Sequence, residues 1–280
     1  MKPGLKNTLQ IVLCACILLA GACDDDDESS PQLTGDTKTY TLNSVSDPAI
    51  SGTVTFAERD DDQIVITIEL DGTQPGVSHP AHIHMNTAAE GGGIILDLTS
   101  VDGATGMSET IVSALNDGSV VSYDDLLSLN GHVNVHESAA NLSTLIAQGD
   151  IGKNELTGDR KEYTLQEVEG SGVSGTAVFE RRVSDFTLVT LQLTGTQSGG
   201  DHPAHIHNND AAMGGGIAID LSNVNGDTGL SVTHIEAMND GTPIMYDQLV
   251  TFNGHINVHL SPSQLATVVA RGNVGANAGE

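Results

Sequence analysis

The chain has 280 residues, with 37 acidic against 10 basic side chains, a formal net charge of −27 and no tryptophan. Such a surface repels phosphate backbones and anionic lipid head groups, so nucleic acid is not an expected partner, whereas cations are attracted. The three cysteines are Cys14, Cys16 and Cys23, so the long remainder must fold on its core without a disulfide framework.

In chain order, Lys2 and Lys6 precede an apolar run from Ile11 to Leu19, and Ala20-Gly21-Ala22 precede Cys23. That is the order of a secretory signal peptide over residues 1–22, with an apolar run too short to span a bilayer. A cysteine directly behind small residues resembles the lipobox of bacterial lipoproteins, which makes Cys23 the expected lipidation site. Loss of Lys2 and Lys6 would leave 8 basic against 37 acidic residues, a net charge near −29. Asp24 to Asp27 and Glu28 follow, and residues 23–33 read as a solvated acidic tether. Acidic residues behind a lipidated cysteine resemble a display signal of some Gram-negative bacteria. The expected location is therefore the bacterial outer membrane or cell surface, with membrane contact through the lipid alone.

The rest of the chain repeats itself. Thr34-Gly35-Asp36 recurs as Thr157-Gly158-Asp159, and His79-Pro80-Ala81-His82-Ile83-His84 as His202-Pro203-Ala204-His205-Ile206-His207. Asn130 to His136 recurs as Asn253 to His259, always at an offset of 123 and without a gap. This period is a whole domain duplicated, not a solenoid repeat. It predicts domains at 34–152 and 157–275, hinged near Lys153 to Thr157. Within the first copy, Tyr40–Val45, Gly52–Glu58 and Gln63–Leu70 are rich in Thr, Val and Ile and read as strands, as do His82–Met85, Ile94–Leu98 and His132–His136. Tyr123–Leu129 and Asn141–Gln148 have helix-like spacing, and Asn141 is a plausible N-cap. The fold class is mainly β: two tandem antiparallel β-sandwich or Greek-key domains with short helices in the connections.

Ten of the 11 histidines fall at five equivalent positions: His79, His82, His84, His132 and His136, then His202, His205, His207, His255 and His259. Only His234 is unpaired. Alternation along a strand places His82 with His84, and His132 with Asn134 and His136, on faces opposite to Ile83, Val133 and Val135. Neutral imidazole is a common ligand for zinc and copper, so each set of five is a candidate divalent metal site. The competing reading is a polar strand face whose histidines hydrogen-bond to backbone or to Asn134 and bind nothing. Other chemistry is weaker. Ser78 beside His79 becomes Asp201 in the second copy, the Asn223-Asn225-Asp227 cluster lacks EF-hand spacing, and Gly91 to Gly93 lacks the context of a phosphate loop.

His-x-His, a glycine-rich stretch, a short helix and Asn-Val-His, closed by a Gly-rich segment, resemble the CHRD domain, the module named after chordin. The resemblance covers about Thr34 to Gly152 and Thr157 to Gly275. It implies an extracellular β-sandwich-like module of a kind often found in bacterial exported proteins without assigned activity; a binding or interaction role, with an extracellular protein as a candidate partner, is the accompanying expectation. By this resemblance His82, His84 and His136, and His205, His207 and His259, hold the characteristic positions. Two places depart from the family pattern: His132 and His255 stand where an aromatic residue is usual, and Gly149-Asp150-Ile151-Gly152 and Gly272-Asn273-Val274-Gly275 lack its closing arginine. His-x-His on a β-framework also resembles copper/zinc superoxide dismutase, which implies a redox enzyme. The absent cysteine pair and the strong negative charge weigh against that, so no enzyme activity is the favoured expectation.

Overall fold

The computed structural model describes residues 30–279; the expected signal segment, Cys23 and the acidic run behind it lie outside the described residues. Alternation builds the strands. In β3 (Ile64–Asp71), Ile64, Ile66, Ile68 and Leu70 are buried, while Val65, Thr67 and Glu69 face outward. The remaining elements of the first copy are β1 (Leu33–Ser44), β2 (Ser51–Arg59), β4 (Ser78–Met85), β5 (Ile94–Asp102), β6 (Met107–Val112), α1 (Tyr123–Leu127), β7 (Asn130–Ser138) and β8 (Asn141–Gly152). The second copy contains β9 (Leu156–Glu167), β10 (Ser174–Arg182), β11 (Thr187–Thr194), β12 (Asp201–Asn208), β13 (Ile217–Asn225), β14 (Leu230–Ile235), α2 (Tyr246–Leu249), β15 (Asn253–His259) and β16 (Val268–Gly275). Among the described residues no helix is long and apolar enough to cross a membrane.

All strand pairs are antiparallel, and the first copy closes into an eight-stranded barrel of order β1-β2-β3-β6-β5-β4-β7-β8. Consecutive strands β4, β5 and β6 form a meander flanked by β3 and β7, which is Greek-key connectivity. The second copy has the same order, β13-β12-β15-β16-β9-β10-β11-β14, but no ladder joins β13 to β14. Even in the first barrel that seam is one residue pair, Asp102 with Met107. The architecture is thus one closed and one nearly closed barrel rather than a pair of sandwiches.

The reason lies in a second correction: Asn141–Gln148 is not helical but is most of β8. That strand pairs with β7 from Asn130↔Gly152 to Ser138↔Asn141, and with β1 through Asn43↔Gln148 and Ser44↔Ala147. One strand bonded on both sides removes the two free edges that a sandwich would leave. The helix-like spacing came from Leu142, Leu145 and Ile146. In the strand Ile146 enters the core, and Leu142 stays exposed in a hairpin. The other expected helix forms as α1, whose Ser122 accepts the Asp125 N–H while the Asp125 carboxylate accepts the Ser122 N–H. Strand β1 begins inside the expected tether, at Leu33.

Each barrel interior is filled by side chains. In the first, Phe56, Ile66, Ile83, Val133, Val135 and Ile151 are buried together, and their counterparts fill the second. The copies are joined by the three residues between β8 and β9. Asn154 donates to the Asn130 side chain at 2.8 Å and to the Gly131 carbonyl at 3.1 Å, and Lys38 pairs with Glu155 at 2.7 Å.

Candidate metal centre

The centre of each copy is set on the outer wall of the barrel by two adjacent strands. In β4, Ile83 points into the core and is fully buried, so His82 and His84 project outward. The register places His82 opposite Asn134 and His84 opposite His132 on β7. His136 lies two residues beyond Asn134 on the same face, diagonal to His82. One nitrogen each from His82, His84 and His136 lies within 4.8 Å of the others, and the same holds for His205, His207 and His259. Imidazole nitrogens at zinc sit about 2.0–2.1 Å from the ion, hence about 3.4 Å apart in a tetrahedral site, so small ring rotations would close each triad on one ion. His82, His84, His205 and His207 are half-buried, while His136 and His259 are buried.

Backbone carbonyls decide which nitrogens are free, because a carbonyl can only accept. His84 donates Nδ1–H to the Gly92 carbonyl at 2.9 Å, and His136 donates Nδ1–H to the Leu142 carbonyl at 2.6 Å. Each ring therefore keeps its lone pair on Nε2. His82 has the opposite arrangement. Its Nε2 faces the Asp97 carboxylate at 3.8 Å, while its Nδ1 meets His136 Nε2 at 3.1 Å. With His136 Nε2 unprotonated, His82 Nδ1–H can donate to it, and a proton shifted to Nε2, on the Asp97 side, would free Nδ1 for an ion. The second copy repeats the pattern: His207 donates Nδ1–H to the Gly215 carbonyl at 3.0 Å, and His205 Nε2 faces Asp220 at 3.7 Å.

The nitrogens left over are the informative ones. His84 Nε2, His205 Nδ1, His207 Nε2 and His259 Nε2 are buried with no hydrogen-bond partner, and His82 Nδ1 and His136 Nε2 have only each other. Buried polar atoms are normally satisfied, so four unpartnered nitrogens set within two histidine triads suit a ligand that accepts electron pairs. Their protonation state suits one. Burial, then the neighbouring His136, pulls the His82 pKa below the usual imidazole value, and burial does the same to His136, His205 and His259.

The other expected ligands lie elsewhere. His132 stacks on His84 with ring centroids 5.2 Å apart and planes 20° apart, and donates Nδ1–H to the Asn86 carbonyl at 3.0 Å. Ring lone pairs lie in the ring plane, so parallel stacked rings cannot aim at a common point. His255 stacks on His207 in the same way, at 5.1 Å. His79, three residues before His82, lies on the opposite strand face and bonds through Nδ1 to the carbonyls of His136 and Glu137. His202 does likewise with the His259 carbonyl. They brace the ligand strand from behind. The structure thus brings together three of each five histidines.

Sequence reasoning missed the orienting shell. Gly92 belongs to the glycine-rich stretch, and a Cβ there would lie 2.2 Å from the Met85 carbonyl oxygen; at Gly215 it would meet the Asn208 carbonyl oxygen at the same distance. Only glycine brings that loop close enough for its carbonyl to hold the histidine ring. Its signal was the Gly-Gly-Gly run eight residues beyond His84 and repeated after His207. No protein-family model matches the chain, and no curated protein or solved structure shows significant similarity to it.

Proposed function

We propose that the chain is an exported, lipid-anchored binding module, displayed at the outer membrane or cell surface, whose two CHRD-like barrels each hold one divalent ion, copper or zinc. The observation that carries the metal reading is the convergence of three imidazoles in each copy, with His84 Nε2 in the first and His205 Nδ1, His207 Nε2 and His259 Nε2 in the second buried without a partner. A purely structural or adhesive pair of domains would have those nitrogens hydrogen-bonded. Neutral imidazole suits both metals, and copper(II) binds the tighter of the two to a given nitrogen set. Asp97 and Asp220, 3.8 and 3.7 Å behind His82 and His205, place an exposed negative charge on the far side of a ligating ring. The anchor rests on the order of residues 1–23, and the CHRD resemblance supports an extracellular protein as partner.

A second reading is favoured by one feature of the triads. Three nitrogens leave a fourth position open on the solvent side, where His82 is half-buried, and an open position is what redox or hydrolytic metal chemistry needs. A dismutase-like activity would have to overcome repulsion between superoxide and a strongly acidic surface. Metal analysis after exposure to copper and zinc tests the main reading. Two ions per chain is the expected result, and a metal-free protein overturns it. Superoxide consumption that is about halved in His82→Ala/His84→Ala and disappears when His205 and His207 are also changed to alanine would favour the redox reading instead.

A further inference from the structure

The copies differ in charge at many aligned positions, and three of the differing positions lie together in space. Asp150 faces Asn273 in the alignment of the copies, Glu90 faces Met213, and His234, the unpaired histidine, faces Ile111. These differences gather around Arg182 of the second barrel, whose side chain is fully buried. Its Nη1 donates to the Asp150 carboxylate of the first barrel at 2.7 Å, and to the Asn154 carbonyl. His234 lies within electrostatic reach of Arg182, and its ring packs edge-on to Phe186 at 5.8 Å. Arg59, the counterpart of Arg182, pairs instead with Asp61 of its own hairpin at 2.8 Å.

The other oxygen of Asp150 accepts the Ala88 N–H at 2.7 Å. Ala88 sits in the loop between His84 and Gly92, the loop whose Asn86 and Gly92 carbonyls hold the rings of His132 and His84. The second copy ties its matching loop from within: Asn273 accepts the Ala211 N–H at 2.8 Å, and Arg271 donates to the Ala211 carbonyl at 2.9 Å.

We infer that Arg182 is a positioning residue of the first metal centre, supplied by the second barrel through the chain Arg182, Asp150, Ala88 and the loop that orients His84. The first centre is therefore composite, completed by the other copy, and the second is self-contained. The inference rests on the proposed metal reading, but the tether itself is a property of the metal-free protein. A carboxylate serves both donors with two oxygens, whereas an amide has one acceptor, so Asp150→Asn cuts the chain with almost no change of shape.

The test isolates each centre. In His205→Ala/His207→Ala protein only the first centre remains, and in His82→Ala/His84→Ala protein only the second. Asp150→Asn and Arg182→Met are expected to weaken copper or zinc binding at the first centre about 10-fold, the lower end for loss of an outer-shell partner, and to leave the second within about 2-fold. Arg182→Lys, which keeps a cation facing Asp150, should stay within about 3-fold. Independently of metal, amide exchange over residues 87–92 should accelerate in Asp150→Asn, with residues 210–215 unchanged. Unaltered affinity and exchange at the first centre in folded Asp150→Asn protein would overturn the inference, as would equal weakening of both centres. If the parent protein binds no metal, the proposed function fails, and the exchange experiment still decides the tether.

Discussion

The two barrels share strand order and histidine triad, yet differ in what stands behind the triad. In the first copy the loop beside His84 is held by a carboxylate that is itself held from the other barrel; in the second an amide and an internal arginine do the work. Duplication copied the site, and divergence changed its support. Residues that touch the triads stayed alike, whereas Asp150, Glu90 and His234 departed from their counterparts where the copies meet. A duplicated protein can thus keep one chemistry while making one centre depend on the other domain.

The largest expected effect comes from removing ligands. His82→Ala/His84→Ala should abolish binding at the first centre and reduce the stoichiometry from two ions to one, read by equilibrium dialysis with metal analysis. Loss of both ions would break the picture of separate centres. Next is the glycine that carries the orienting carbonyl. Gly92→Ala forces a methyl against the Met85 carbonyl oxygen, a clash expected to cost about 1–3 kcal/mol of stability, and Gly215→Ala should match it because both approaches are 2.2 Å. Thermal melts of the two variants measure this; a clear difference between them would show that the loops are not equivalent supports.

Acid provides a smaller, graded test. Burial lowers the pKa values of His82, His136, His205 and His259, so these rings are neutral in the fold at a pH where free imidazole has begun to protonate. The unfolded chain then binds more protons than the folded one, and their contribution to stability is fully present above the ordinary imidazole pKa of about 6.5 and is lost as pH falls through the lowered values. Protons compete with metal for the same nitrogens, so metal affinity at both centres should fall with acidity, followed by metal analysis across a pH series. Affinity that does not change with pH would contradict histidine ligation. The smallest effect belongs to the exposed carboxylates behind His82 and His205: Asp97→Asn and Asp220→Asn should each weaken the adjacent centre by about 3-fold or less, since an exposed partner near 4 Å is screened by water.

Much of this was legible in the sequence, for identifiable reasons. The ungapped offset exposed the duplication, and alternation placed Ile83 inward and His82 with His84 outward. The same alternation, read more strictly, separates His79 from His82, because an interval of three crosses the strand. Three features could not be read. Leu142, Leu145 and Ile146 mimic helical spacing, and only pairing with both β7 and β1 fixes them as a strand. Strand β6 hid because its inward residues include Ser108 and Thr110, whereas Met107 and Ile111 face outward. The choice of His136 over His132 depends on ring planes and backbone carbonyls, which no spacing encodes, although the CHRD-like pattern already sets His136 among its characteristic positions.

Each barrel carries one histidine triad that could hold a divalent ion. Titration of the chain from Ser29 onward with copper(II) and zinc, followed by nitrogen-sensitive spectroscopy of the copper form, tests it most directly. Two equivalents bound, with three imidazole nitrogens at each ion, are expected. Binding of no metal, or binding that survives when His82, His84, His205 and His207 are all changed to alanine, would contradict it.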